Sequence, residues 1–463
     1  MSTRFIHLGF AISCCISSAA LAGDLLDTYQ LAKQNDPQLA AAEATYYAAL
    51  EEKSLSRAGV LPSIDFSAGA SRVNDDTIYV ERVNDDTINV ERPNTSNSGT
   101  SSNSGTSISY TNYTYRLELR QPIYRRDSFL QLDEADTRIL QAEAEYQAAE
   151  QGLVLRLAQA YFDVLAAQDN LHFSRAEKEA IARQLEQTRQ RFEVGLTAIT
   201  DVHEAQARYD LVNSQEIAAQ FRLDDRREVL HEITGQYLQQ PATLRKQTPL
   251  PAPEPADPNA WNKLALEQNL ALRVAHLSSQ LAALQVKRSR SGHQPTLDLA
   301  LTHNYSKGGS FVDEVTSNSI GLQFNLPLYS GGGTSAAVRQ RLHQHDAARQ
   351  KLEQQHRATE AGARTAYRSV TASIVLVQAL KQAVISNQSA LDATEAGYEV
   401  GTRTSVDVLN ARRELFRAQR DYAQSRYDYI IGSLALKDAA GILSQDDLVQ
   451  INQWLEDDTP SQP

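Results

Sequence analysis

The sequence predicts a mainly α-helical protein that adds a membrane β-barrel pooled from several copies of the chain, with four strands and two long helix pairs per copy. Three observations carry that expectation: very long helix-forming runs, four short segments that alternate apolar and polar residues, and two halves that repeat each other.

The longest helical runs come first. Ser128 to Val194 holds no proline and a single glycine, Gly152, and Thr334 to Ala396 holds only Gly362. Ala, Glu, Gln, Leu and Arg dominate both, the residues that lose least side-chain freedom in a helix. At ~1.5 Å per residue such a run reaches roughly 100 Å, so it belongs to a bundle or coiled coil rather than an ordinary globular core. Shorter runs span Leu25 to Arg57, Ala198 to Ile233, Trp261 to Ser289 and Ser405 to Ala440. Alanine-rich faces at Ala40 to Ala42, Ala148–Ala149 and Ala166–Ala167 let neighbouring helices approach closely.

The repeat sets the organisation. Ala160–Tyr161 matches Ala366–Tyr367, Val194–Gly195–Leu196 matches Val400–Gly401–Thr402, Asp201–Val202 matches Asp407–Val408 and Gly235 matches Gly441, each 206 positions apart. Upstream, Gln34–Asn35 matches Gln268–Asn269 and Pro62 matches Pro295 at an offset of about 234, so the first half carries an insertion of roughly 28 residues. A period of this size reads as a duplicated structural unit. The expected layout is a first repeat over 23–240, a Pro-rich linker or equatorial segment over 241–258, a second repeat over 259–445 and a C-terminal tail over 446–463.

Each half holds one strand pair, expected at about 62–73 and 107–122, then 296–305 and 319–328. Ile64, Phe66, Ala68 and Ala70 alternate with Ser63, Asp65, Ser67 and Gly69; Leu297, Leu299 and Leu301 alternate with Asp298, Ala300 and Thr302. Tyr113, Tyr115, Leu117 and Leu119 precede Pro122, and Ile320, Leu322, Phe324 and Leu326 precede Pro327, which is expected to end its strand. Period two with one apolar face is a sheet pattern, and strands of this length suit a bilayer crossing. Tyr110, Tyr113, Tyr124, Tyr305 and Tyr329 stand where interfacial girdles form. An ordinary sandwich face is the alternative. Four strands cannot close a barrel and lipid tolerates no open edge, so three copies giving twelve strands is the expected solution.

The remaining segments narrow the class. Residues 1–22 read as a secretory signal peptide: Arg4, an apolar run from Phe5 to Ile16, then Ala20–Leu21–Ala22 before Gly23. A lipidated Cys14 is the competing reading. Both cysteines, Cys14 and Cys15, lie in this segment, so no disulfide is expected. After Gly23 no stretch reads as the roughly 18 apolar residues of a spanning helix. Segment 74–106 repeats itself, Val73 to Ile78 as Val83 to Ile88 and Ser96 to Ser101 as Ser102 to Ser107, and reads as an exposed loop. Asp75–Asp76 and Asp85–Asp86 lack the kinked ligand loop of a calcium site. With 45 Lys plus Arg against 57 Asp plus Glu and a net charge of -12, nucleic acid is not an expected partner. His343 and His345, beside Asp346, stand at alternate positions that do not share a helix face, so no metal or other cofactor is expected. The chain lacks a Gly-rich phosphate loop, G-x-S-x-G and H-E-x-x-H, so no enzyme and no catalytic residue is expected.

Several motifs then point one way: Asn35–Asp36–Pro37, Ala160–Tyr161–Phe162, Arg191 to Leu196 with Thr200–Asp201–Val202, and Leu391 to Tyr398 with Gly401 to Thr404 and Asp407–Val408–Leu409. Across nearly the whole chain after Gly23 the sequence resembles the TolC family of outer-membrane channel-tunnels. The resemblance implies a homotrimer in outer-membrane lipid whose twelve-stranded barrel continues into a twelve-helix periplasmic barrel. It implies a periplasmic adaptor and an inner-membrane RND or ABC exporter as partners, in drug efflux or type I protein secretion. Both helix-turn-helix tips carry V-G-[LT]-x-x-x-x-D-V; Val194, Gly195, Leu196, Val400, Gly401 and Thr402 are the implied adaptor contacts. Tyr398 and Arg403 would latch to Thr200 and Asp201, and Asp407 would line the constriction. Asn410 stands where well-known members carry a second aspartate, and Glu204 is its first-half counterpart. A trimeric adhesin also pools a twelve-stranded barrel, but it would place its four strands consecutively at the C-terminus.

Overall fold

The computed structural model describes residues 23–76, 107–238, 241–245, 248–308 and 314–456. The expected signal peptide with Cys14 and Cys15, nearly all of the repetitive loop and the last residues of the tail lie outside the described residues. The order is α1 (Leu25–Asn35), α2 (Pro37–Ala58), β1 (Ser63–Asp76), β2 (Ser107–Tyr124), α3 (Arg126–Glu193), α4 (Ile199–Thr234), β3 (Thr243–Leu244), α5 (Pro258–Gln268), α6 (Leu270–Ser291), β4 (Thr296–Lys307), β5 (Glu314–Asn325), α7 (Gly333–Glu399), α8 (Ser405–Ala439), α9 (Gln445–Asn452) and β6 (Leu455–Glu456). The chain divides into two compact units, one of Ala49–Ile139 with Gln280–Ala347 and the other of the remaining residues.

In the first of these units four antiparallel strands pair in the order β1-β2-β4-β5. The register lines up Ile64, Leu119, Leu301 and Ile320 on one face, with Phe66 and Leu117 beside them and Leu299 opposite Leu322. This face is bare: Phe66 is 69% exposed, Ile320 73% and Leu322 69%. The other face carries Asp65, Arg116, Glu118, Arg120 and Asn304, with Arg116 Nε donating to Asn304 Oδ1 at 2.8 Å. Towards the loop end the apolar face changes to Tyr115 and Tyr305, whose rings lie 5.9 Å apart, and to the Lys307–Glu314 ion pair at 2.9 Å.

The strand bounds differ from expectation for physical reasons. Strand β5 starts already at Glu314, where it pairs with Lys307, a start the sequence does not show because Thr316 to Ser319 are polar on both faces and give no alternating signal; it stops at Asn325, two residues before Pro327, which cannot donate to a ladder. Strand β2 extends to Tyr124 through an irregularity after Pro122, which brings Tyr124 opposite Leu297. Beneath the sheet, Arg125 grips Asp298 in two parallel bonds of 2.9 and 2.6 Å, fastening the start of α3 to β4. Arg138–Glu52 at 2.9 Å ties α3 to α2, and Arg288–Asp127 at 2.8 Å ties α6 to α3.

The second unit is helical. Its core gathers Leu25, Leu157, Tyr161, Phe162, Leu165, Tyr429, Ile430 and Leu434. The buried Tyr161 hydroxyl lies 3.1 Å from the Gly23 carbonyl and 3.0 Å from the Ala242 carbonyl, donating to one at a time, so the ring packs without an orphaned polar group. Trp261 Nε1 donates to the Pro255 carbonyl at 2.8 Å and the Tyr429 hydroxyl to Pro251 at 2.7 Å, which fixes the Pro-rich segment against α5 and α8. Within that segment β3 pairs with β6. Residues 446–463 are more than a tail: α9 starts at a capping box formed by Ser444 and Asp447, and Leu448, Ile451 and Leu455 join the core.

Two expected single helices are each broken. Asp36, with ψ 115, ends α1, and its carboxylate opens α2 by accepting from Leu39 N at 3.0 Å. Pro37 disfavours a helical Asp36 and suits the first helical position. Asn269 does the same between α5 and α6, accepting from Leu272 N at 2.9 Å. These bonds pair Asp36 with Asn269, one residue away from the Asn35–Asn269 match in the sequence. Asn35 donates to the Thr234 carbonyl at 3.0 Å, whereas Asn269 itself donates to the Ala439 carbonyl at 3.1 Å. Finally, α7 contains an 18-residue window long and apolar enough by composition to cross a membrane, 11% of it buried; this corrects the expectation that no such stretch follows Gly23.

Gly441 closes the second of these corners at φ +75, where an added Cβ would stand 2.4 Å from the Gln268 carbonyl oxygen. Gly441→Ala is expected to cost about 2–3 kcal/mol and lower the thermal midpoint followed by circular dichroism in detergent; an unchanged midpoint contradicts the close approach.

Candidate functional site at the helix tips

The tips where α3 turns into α4 and α7 into α8 carry the motif singled out in the sequence. Gly195 sits at φ 78 and Gly401 at φ 80, left-handed backbone that costs glycine little. Leu196 N donates to the Arg191 carbonyl and Thr402 N to the Gly397 carbonyl, both at 2.8 Å, so each long helix ends in the same six-residue closure. Val194, Leu196 and Val400 are 70%, 76% and 76% exposed, and Thr402 is exposed beside them. An apolar knob therefore projects from each tip.

The returning helices start differently. Helix α4 begins after Ala198, which offers no side-chain cap; Asp201 instead accepts from the Thr197 hydroxyl. Helix α8 begins at a complete capping box: Asp407 N donates to Thr404 Oγ1 at 3.2 Å, and Asp407 Oδ2 accepts from Thr404 N and Thr404 Oγ1, both at 2.9 Å. The Thr404 backbone amide, then its hydroxyl, and the nearby Arg403 charge hold the Asp407 carboxyl below the usual range, against a small desolvation effect. Asn410 and Glu204 are exposed on α8 and α4.

The second tip is held against α3 by contacts that the sequence reading did not name. Tyr398 lies under the Arg191 guanidinium, 4.5 Å from ring centroid to carbon. Arg412 donates to Glu395 at 2.9 and 2.7 Å and to the Ala180 carbonyl at 3.0 Å. Glu177 on α3, only 2% exposed, takes Arg420 at 2.9 Å and Arg208 at 3.5 Å. Leu409 completes an apolar cluster with Ile181, Leu185, Ala205 and Val212. The eight-residue spacing of Arg412 and Arg420, which puts both on one helix face, was the available signal. Within the chain, the expected latch is not formed among the described residues: neither Tyr398 nor Arg403 bonds Thr200 or Asp201, and the Arg403 side chain makes no ion pair. Among the described residues no group of three or more His, Cys, Asp or Glu could hold a metal ion.

The sequence matches the outer membrane efflux protein family over residues 28–236 and 261–442. The chain belongs to that family. It is 40% identical to "Outer membrane protein TolC" of Vibrio cholerae, with 95% of this chain and 96% of that protein covered. It is 29% identical to "Proteases secretion protein PrtF" of Dickeya chrysanthemi, with 98% and 96% covered. The solved Campylobacter jejuni CmeC outer membrane channel superposes with a TM-score of 0.77 at 17% identity, covering 93% of this chain and 89% of that one, and supports the fold. As a family member the chain is an outer-membrane exit duct of efflux and secretion.

Because the native Asp407 pKa lies below its unfolded value, the cap adds stability above the ordinary carboxylate pKa and loses it as pH falls through the lower native value. Hydrogen-exchange protection of the first α8 turn is expected to survive acidification further in the native protein than in Thr404→Val; loss at the same pH in both contradicts the cap.

Proposed function

We propose that three copies pool their strands into a twelve-stranded barrel that continues into a twelve-helix periplasmic barrel, forming a passive conduit for drugs and secreted proteins. The one-sided apolar sheet with its two open edges carries this reading, because the apolar face suits lipid whereas the open edges are not stable there unless neighbouring copies pair them. The barely buried apolar window of α7 would be covered by a neighbouring copy. The internal repeat supports the same plan, with two halves building equivalent corners and tips.

The periplasmic mouth is closed at the tips. Asp407 forms a ring of three carboxylates there, with Asn410 a turn further along α8 supplying only an amide dipole. Arg403 reaches Thr200 and Asp201 of an adjacent copy as the cross-chain arm of the closure latch, and Tyr398 is its arm within the chain. The exposed knobs of Val194, Gly195, Leu196, Val400, Gly401 and Thr402 receive a periplasmic adaptor, which couples the duct to an RND or ABC exporter in the inner membrane. No catalytic step belongs to this role.

In cells lacking their own exit duct, the chain is expected to restore dye efflux, and no efflux despite normal outer-membrane assembly contradicts the reading. A carboxylate ring favours cations and binds multivalent ones. In planar bilayers Asp407→Ala should therefore abolish most block by trivalent cations, and Asn410→Asp should tighten it; unchanged block in both removes Asp407 from the constriction.

A further inference from the structure

Where the helices of the sheet-bearing unit meet its strands, the charges sort by side. Arg288 reaches Asp127 and Glu134, and Arg341 donates to Gln285. Asp127, Glu134, Arg288 and Arg341 line one cavity of about 640 Å³ with Thr296 and Asn325, which pair on the polar face of the sheet. The other side of the same helices carries different cations. Arg126 shares a face of α3 with Phe129, three residues on, and Lys287 and Arg290 share the face of α6 turned away from Gln285 and Arg288. Arg339 on α7 stands two residues before Arg341 and therefore on the opposite side. Arg57, in the last turn of α2, follows Lys53, which is taken by Asp136 at 2.6 Å. Arg57, Arg126, Lys287, Arg290 and Arg339 are all exposed and make no ion pair or hydrogen bond among the described residues. Helix α6 holds no Asp or Glu and α7 none before Asp346, so these cations lack counterions in a chain whose net charge is -12.

Their level along the chain is as uniform as their side. Arg57 and Arg290 each stand five residues before a matched proline, Pro62 and Pro295, and Arg126 follows the end of β2 by two residues. Apolar surface continues to the same level, past the last row of Tyr124, Leu297 and Phe324: Phe129 is 43% exposed, and Leu328 and Tyr329, between β5 and α7, are each 87% exposed. Resting on the reading of the apolar sheet face as lipid-facing, we propose that Arg57, Arg126, Lys287, Arg290 and Arg339 form a collar that binds the headgroup phosphates of anionic phospholipids in the periplasmic leaflet. Phosphates lie where hydrocarbon gives way to water, in a layer only roughly 5–8 Å deep. Long cationic side chains suit that layer, because the stem covers apolar surface while the charge reaches the phosphate. Each cation near an anionic surface strengthens binding about fivefold. The bonded charges on the cavity side are already spent on one another, which leaves the outward cations for lipid.

The test is native mass spectrometry of the full-length protein in detergent, titrated with dioleoylphosphatidylglycerol or dioleoylphosphatidylcholine. The native protein should retain the anionic lipid about fivefold more tightly or better, and high salt should remove most of that difference. Arg57→Gln/Arg126→Gln/Arg290→Gln/Arg339→Gln should bind the two lipids alike, whereas the four corresponding Arg→Lys changes should keep the preference, since a phosphate accepts a point charge. Arg222→Gln/Lys263→Gln/Lys351→Gln/Lys381→Gln removes as much charge from exposed positions elsewhere and should leave the preference intact. If the fourfold collar variant does not assemble, Arg57→Gln/Arg290→Gln and the salt dependence of the native protein decide in its place. Equal retention of both lipids by the native protein overturns the collar and leaves the barrel reading standing. So does a preference that survives the Gln changes, or one that the control variant loses equally. Retention of neither lipid, with no insertion into vesicles of either, overturns the lipid-facing sheet and the collar with it.

Discussion

A four-stranded sheet with an apolar face has two open edges, and in lipid each unpaired backbone N–H and C=O on those edges costs several kcal/mol. That constraint shapes the sheet-bearing unit. Strands β1 and β5 are the edges, and both carry their apolar side chains on the same face as the central strands. The ion pairs beneath the sheet link α2 to α3 and α3 to α6, and a 3.3 Å hydrogen bond from Arg341 to Gln285 links α7 to α6. The helices thus follow the lateral order of the strands they continue. A unit built this way is an open layer rather than a closed core, and the pooled barrel we propose is what satisfies its flanks.

The tips obey a different economy. Their reversals are the same in both halves, glycine at positive φ with the six-residue closure, but the following helix is capped fully only in the second half, by Thr404 and Asp407. The second tip is also the one tied by arginines to α3. A gate needs one element that is internally rigid and externally releasable. A capped helix start supplies rigidity, and contacts between charged or aromatic side chains at a half-exposed surface supply release, since each is worth only about 1 kcal/mol. The buried Glu177 is the exception: removing either guanidinium leaves charge in a dry place, so this junction belongs to the fixed part of the bundle.

Much of this architecture was legible in the residues. The long runs without proline became α3 and α7, and the period-two segments became β1, β2, β4 and β5, because amphipathic periodicity survives wherever one face meets apolar surroundings. The signal failed where both faces are polar, as at Thr316 to Ser319, and where a break is made by one side chain, as at Asp36 and Asn269. The short β3 and β6 were invisible, since two-residue strands have no period. At the site, Gly195, Gly401 and Asp407 could be read from the motif because local backbone geometry demands them. Arg191 could not, because an arginine on a long helix is ordinarily a solvated one and only the approach of the α7 end to α3 gives it Tyr398 as a partner; Arg412 and Arg420 offered no more than their spacing, and the packing of α8 on α3 gives them Ala180 and Glu177.

The central claim is that the membrane part exists only as a pooled structure. Native mass spectrometry of the protein extracted from outer membranes in a mild detergent tests it most directly. The account predicts a species of three chains that persists on dilution. A stable single chain that inserts into bilayers and conducts would contradict it, because one copy would then have solved its open edges alone.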